Sequence, residues 1–284
     1  MSVETLVDGL NHPEGVAYGV DGFGYAGGEA GEVYRIDLDS GVAEIIGSTG
    51  GFLLGVTLDN DNNIYGCDIG MKAVVRVTQK GEVSVVSSGT PSRPMATPNY
   101  AVFDRTGYLY VSDSGHWPEG GGCIYRISPS GETLVWSTGC PQFTNGLALS
   151  PDQRYLYVVE SVLPGVTRVM INDDGTAAPP ELVVLMPGTV PDGLAFDSSG
   201  RLYVGCYRPD RIYRVDPGMS PVIVAEDWQG TFLSAPTNLA FIGQELDRLL
   251  ISSLGRWHLS VMSVDVPGQP LNYPKLGRSL PERS

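Results

Sequence analysis

Oxygen-bearing side chains recur along this chain at intervals that only a repeated structure would share. Glu14, Asn99, Asn145 and Asp192 stand in the short segments HPEG, TPNY, FTNG and VPDG, and the matching segments FLLG and APTN carry Leu54 and Thr237 in the same place. The intervals are 40, 45, 46, 47 and 45 residues. Two carboxylates, two amides and a hydroxyl, with no Lys or Arg among them, are hard donors that suit Ca²⁺, Mg²⁺ or Mn²⁺ better than a thiolate-seeking ion. Crowding the carboxylates into a dry channel without a cation is costly. Any single Asn or Asp here is better read as a turn residue bonded to its own backbone. Four of six equivalent positions bearing Asn, Asp or Glu favour a shared cation instead.

Such a cluster needs six elements that bring distant segments together. The stretches beginning HPEGVAYG, FLLGVTLD, TPNYAVFD, FTNGLALS, VPDGLAFD and APTNLAFI can be overlaid, each an apolar strand, a turn rich in Asp, Asn and Gly, and a second alternating strand. Third strands follow in EVYRID, AVVRVT, CIYRIS, RIYRVD and SVMSVD, and fourth strands in AEIIG, EVSVVS, ETLVWS, ELVVLM and PVIVAE. This periodicity predicts an all-β fold, a six-bladed β-propeller with four antiparallel strands per blade and repeats starting near 12, 52, 97, 143, 190 and 235. The sixth repeat lacks a fourth strand. Residues 3 to 8 resemble the missing piece and are expected to complete it, closing the ring and removing exposed edges. One domain over 1–284 is expected, with a polar tail at 266–284. The innermost strands of a propeller surround its axis, so the six equivalent positions should form a ring at one end of the channel.

Loops joining second to third strands share that end, among them 113–122 and 252–259. Together with the connections between blades they place Phe52, Trp117, Phe143, Trp228, Phe232 and Trp257 around an aromatic mouth suited to an apolar ligand. The expected substrate contacts at this mouth are Tyr100, His116, Trp117, Phe143, Trp257 and His258, and His12 is read as a structural neighbour of Glu14. Asp68 and Asp113 end second strands, either facing the ion's waters or anchoring loops. A divalent ion held among these carboxylates and amides would polarise a carbonyl, and Asp192 would also act as general base toward water.

Composition excludes several other classes. Eighteen basic against thirty-two acidic residues give a charge of −14, which repels nucleic acid and anionic lipid. There is no uncharged apolar run of membrane-spanning length and no basic, apolar leader at the N-terminus, so a cytoplasmic protein acting on a small molecule, monomeric or weakly self-associating, is expected. Cys67, Cys123, Cys140 and Cys206 show no zinc-type spacing, and a Cys123–Cys140 bridge stays open at this point. No nucleophile elbow, phosphate loop or His-Glu-x-x-His motif is present.

From about His12 to Asp265 the chain resembles the senescence marker protein, gluconolactonase and luciferin-regenerating enzyme family, most specifically through HPEG, FTNGLALSPD and PDGLAFD. The resemblance implies a six-bladed propeller hydrolysing a lactone or related ester. It also implies one divalent cation on Glu14, Asn145 and Asp192, calcium first, with magnesium, manganese or zinc behind it, and a substrate-contacting Asn99. The sugar-lactone members carry an Arg two residues before that Asn and an acid after it, where this chain has Thr97-Pro98-Asn99-Tyr100, which points away from a free sugar lactone. Two alternatives stand beside this reading. One is a non-catalytic propeller that binds a ligand or protein around a structural metal; the other is a phosphotriesterase-like or non-hydrolytic enzyme on the same scaffold.

Overall fold

The computed structural model describes residues 2–276, and among them there are strands and turns but no helix. Six four-stranded antiparallel sheets form, five running in chain order from the first strand to the last and the sixth taking its outermost strand from the N-terminal segment. The first strands are Val16–Tyr18, Leu53–Leu58, Pro98–Phe103, Thr144–Leu149, Val190–Phe196 and Pro236–Ile242, and each touches the first strand on either side in a closed circle. In the sixth sheet the outer position is taken by Val3–Val7, paired antiparallel to His258–Ser263 through Val3↔Met262, Glu4↔Val261 and Val7↔Leu259. The expected propeller and its closure by the N-terminal strand are therefore both present. One element went unforeseen: the connection around TPSRPMATP contains a small hairpin of Gly89–Thr90 with Arg93–Pro94.

Apolar residues alternate along the strands because successive side chains point to opposite faces of a sheet, and each face meets a different neighbouring blade. Ile64 joins Tyr25, Val33 and Leu53 in the layer between blades one and two, whereas the next residue, Tyr65, joins Phe103, Leu109 and Tyr125 in the layer between blades two and three. The core is thus a set of wedges between blades. The closing wedge joins Val7, Leu259 and Val261 to Val16, Tyr34 and Ile36.

The turns after the first strands repeat as closely as the strands do. Asp59 Oδ1 accepts the amides of Asp61 and Asn63, Asp104 Oδ1 those of Thr106 and Tyr108, and Asp197 Oδ1 those of Ser199 and Arg201, all within 3.0 Å. These side chains supply acceptors that the tight turn would otherwise lack. Three residues further on the backbone is left-handed, filled by Asn62, Gly107 and Gly200 at φ of 55°, 88° and 81°.

The part of the predicted tail that is described is not free. Residues 267–274 cross the end of the propeller opposite Glu14 and hydrogen-bond to every blade. Gly268 N donates to Leu246 O, Pro267 O accepts from Ser198 N, and Gln269 N donates to Phe196 O. Asn272 accepts from Gln153 Nε2 and donates to Phe103 O, Tyr273 Oη donates to Tyr18 O, and Pro274 O accepts from Asn60 N. The remainder of the predicted tail, 277–284, lies outside the described residues.

Deleting residues 1–8 should leave His258–Ser263 as an open sheet edge and uncover the closing wedge. Loss of the Val7 burial and its ladder is worth about 3–5 kcal/mol, or a fall in thermal midpoint of roughly 10 °C, with concentration-dependent association in light scattering. An unchanged midpoint and a monodisperse sample would contradict this account of closure.

Candidate metal and active site

The equivalent positions are aimed inward by a repeated defect in the sheets. Pairing of the first with the second strand breaks between Leu53 and Val56, Pro98 and Tyr100, Thr144 and Leu147, Pro191 and Leu194, and Pro236 and Leu239. Each break contains the ring residue, and such bulges free a side chain from the alternation of its strand. The backbones then crowd together. A Cβ on Gly15 would lie 2.2 Å from Leu54 O, one on Gly146 2.5 Å from Asp192 O, and one on Gly193 2.7 Å from Thr237 O. Only glycine permits that approach, which explains the recurring Glu-Gly, Asn-Gly and Asp-Gly pairs.

Hydroxyl groups tie this ring from blade to blade. Ser114 Oγ donates to Thr144 O, Ser161 Oγ to Pro191 O, and both Ser252 Oγ and Thr237 Oγ1 to Glu14 O, each at 2.7 Å. Each of these hydroxyls is buried, so its bond is made where water does not compete. The same bonds orient the amides. Asn145 Nδ2 donates to Ser161 Oγ at 3.1 Å, and Asn238 Nδ2 donates to Glu14 Oε2 at 3.2 Å.

With their N–H groups so engaged, Asn145 and Asn238 leave Oδ1 atoms buried and without a partner, and Asn99 Oδ1 and Asp192 Oδ1 are in the same condition. Glu14, Asn99, Asn145, Asp192 and Asn238 are all buried. Among the described residues no ion pair involves Glu14 or Asp192. Burial and then the Asp192 charge hold Glu14 well above the ordinary carboxylate range, opposed by the Asn238 hydrogen bond. Burial pushes Asp192 up to about 7, against a lowering by Asn145. Buried acceptors without donors, beside carboxylates that repel each other, fit a hard divalent cation. No three His, Cys, Asp or Glu side chains converge among the described residues, because the amides supply the rest of the set.

Asn238 was missed at the sequence level. It occupies the column where other blades have Gly15, Gly55, Gly146 and Gly193, one residue after Thr237, and a polar residue in a glycine column was the available signal. Ser161, which turns the Asn145 amide, follows the end of a second strand and carries no motif of its own.

The mouth residues divide. Trp117 and Phe143 stack edge to face at 5.0 Å, and Trp257 meets His12 in the same way at 4.7 Å. His116, Trp117 and Trp257 are exposed, as are Trp228 and Phe232. His12 also pairs with Glu29. His258, expected as a substrate contact, is buried, with Nε2 3.0 Å from Phe232 O, so it holds a mouth loop in place. Tyr100 is turned toward the other half of the channel, where it lines a cavity of about 530 Å³ that none of Glu14, Asn99, Asn145, Asp192 and Asn238 reaches. Asp68 and Asp113 anchor loops: Asp68 accepts the amides of Phe52 and Met71, and Asp113 those of Ala96, Thr97 and Gly115. All four cysteines are buried and free, so Cys123 and Cys140 are not bridged.

Several proteins of known description share this architecture. Residues 28–255 match the SMP-30/Gluconolactonase/LRE-like region. The lactonase drp35 of Staphylococcus haemolyticus (strain JCSC1435) is 26% identical over 196 residues, 64% of this chain and 59% of that protein. The match therefore spans less than two thirds of that curated relative. A gluconolactonase structure from Xanthomonas campestris superposes with a TM-score of 0.78 at 20% identity, over 94% of this chain and 89% of that one. The calcium-binding protein regucalcin from Agrobacterium tumefaciens str. C58 gives 0.78 at 15% identity, over 97% of both chains. At those identities the likeness is one of fold.

The raised carboxylates carry a pH signature. Asp192 has a folded value of about 7, above its unfolded value near 3.8, so the folded state binds the proton more tightly. Its stabilising effect is therefore complete below that lower value and is lost as pH rises toward 7. Chelator-treated protein should melt at a lower temperature at pH 8 than at pH 5, and Asp192→Asn should flatten that fall. Calcium should raise the pH 8 midpoint of the unsubstituted protein. A midpoint that rises from pH 5 to pH 8 without metal would contradict the assignment.

Proposed function

Since the chain belongs to the SMP-30/gluconolactonase/LRE-like family, we propose that it is a lactone hydrolase that works with one divalent cation, calcium first among the candidates. The observation that carries this reading is the set of buried, unpartnered oxygens of Asn99, Asn145, Asp192 and Asn238 beside Glu14, with no cationic side chain among the described residues paired to either carboxylate. Glu14, Asn145 and Asp192 would hold the ion, and Asn99 and Asn238 present further oxygens to the same space. When bound, the cation supplies Lewis-acid polarisation of the lactone carbonyl and stabilises the negative charge that develops on its oxygen.

The protein's own groups do the rest. Asp192, ionised once its charge is compensated, accepts a proton from the attacking water, whose oxygen adds to the carbonyl carbon. The ring C–O bond then breaks, and the proton passes to the departing ring oxygen, leaving a hydroxy acid. Asn238 holds Glu14 by its amide, and Ser161 holds Asn145, so the donor set is fixed before substrate arrives. The aromatic rim of Trp117, Phe143, Trp228, Phe232 and Trp257 supports an apolar or aromatic lactone over a polyhydroxylated one.

A panel of apolar lactones and glucono-lactone, assayed with calcium and with chelator, tests this. Chelation should abolish turnover and calcium restore it. Glu14→Gln and Asp192→Asn should each lower kcat/KM by about 10²–10⁴-fold while circular dichroism shows an intact fold. Full activity in both variants would end the mechanism; tight lactone binding without turnover would favour a non-catalytic propeller with a structural ion.

A further inference from the structure

The half of the axial channel away from Glu14 is built as a second compartment. Three residues beyond each ring position, the first strands carry Ala17, Thr57, Val102, Ala148, Ala195 and Ala240, all lining the cavity of about 530 Å³. Elsewhere in the same strands Leu, Phe and Tyr fill the wedges between blades, so small residues at this one level keep the channel open. Its volume falls within the roughly 300–1,000 Å³ of small-molecule sites. The wall is continued by Val16, Val56, Leu147, Leu194 and Leu239, and it would hold ordered water poorly.

The open end of this compartment is covered by the strap. Gln269, Pro270, Leu271, Asn272 and Tyr273 all line it, and the hydrogen bonds to six blades hold them there. Gly268 lies so close to Phe241 that a Cβ there would fall 2.1 Å from the ring, which sets the height of the strap over the cavity. Polar groups at this end are mostly committed. Asp21 accepts from Tyr25 and Arg35, Asn272 is bonded through both ends of its amide, and Tyr273 Oη is held by Tyr18. Gln269 Oε1 is buried without a partner. Among the described residues no Lys or Arg lines the cavity, and Asp21 does, so anions are disfavoured.

We propose that this strap-covered half of the channel is a second binding site, separate from the Glu14–Asp192 site, for a neutral, slender apolar molecule that carries an O–H or N–H donor at one end. The apolar body lies against the alanine ring and the donor meets Gln269 Oε1. Tyr100 stands between the two compartments: it lines the cavity, while burial and the nearby Glu14 charge keep its hydroxyl protonated.

The test uses the full chain and the neutral fluorophore 1-aminoanthracene, whose N–H donor and size suit the site. Its emission should shift to the blue and saturate, and 1-dodecanol should displace it while dodecanoate should not. Ala148→Leu combined with Ala195→Leu should abolish binding in protein that still melts cooperatively and keeps its calcium-dependent change in midpoint. Gln269→Ala, in the half-buried strap, should weaken 1-dodecanol at least several-fold and serves as the independent variant if the double substitution fails to fold. Probe emission that does not saturate, or binding to the filled channel as tight as to the unsubstituted protein, would overturn the proposal, the second by placing the probe at the aromatic mouth. Equal displacement by dodecanoate, or an undiminished Gln269→Ala affinity, would overturn the assignment of a neutral donor.

Discussion

Bringing Glu14 and Asp192 to the same end of a narrow channel opposes their ionisation twice, once by burial and once by their mutual repulsion. The surrounding structure accepts that penalty, and no Lys or Arg among the described residues pairs with either carboxylate to relieve it. Instead it adds amide oxygens, turns them by hydrogen bonds to Ser161 and Glu14, and leaves them unpartnered. Glycines at 15, 146 and 193 let the backbones close to within contact, and bulges in five first strands take the ring residues out of register. Local strand geometry, strand crowding and electrostatics therefore all act on the same few atoms.

That concentration of unfavourable terms depends on stability held elsewhere. Apolar wedges between successive blades, including the one closed by Val7, Leu259 and Val261, surround the axis on all sides. Buried carboxylates at the mouth take part in the same economy of position. Asp68, Asp113 and Glu160 each accept amides from the connection leading into their own blade's first strand, so the loops that frame the channel are set by the ends of the second strands.

Much of this was legible in the amino-acid order, for a physical reason. A propeller blade uses the same turn acceptor, the same left-handed position and the same period-two alternation each time, so Asp59, Asp104 and Asp197 announce one another. Glu14, Asn145 and Asp192 could be set side by side because their blades share a register. Asn238 escaped because the comparison followed Thr237 and treated the next column as glycine. Tyr100 and His258 escaped for another reason: a bulge or loop decides which way a side chain turns, and spacing alone carries no record of it. The strap has no counterpart in the other blades, and its contacts run largely to backbone carbonyls that any sequence offers.

The two fastenings of the ring share an uncommon timing. Val3–Val7 is made before His258–Ser263 yet has to wait for it, and the residues that lace all six blades, 267–274, are made later still. Until then the nascent chain has blades but no circle, and the inner ends of Glu14 and Asp192 belong to separate, unjoined sheets. Completion of the chamber is thus a late event, governed by how His258–Ser263 finds a partner made long before it.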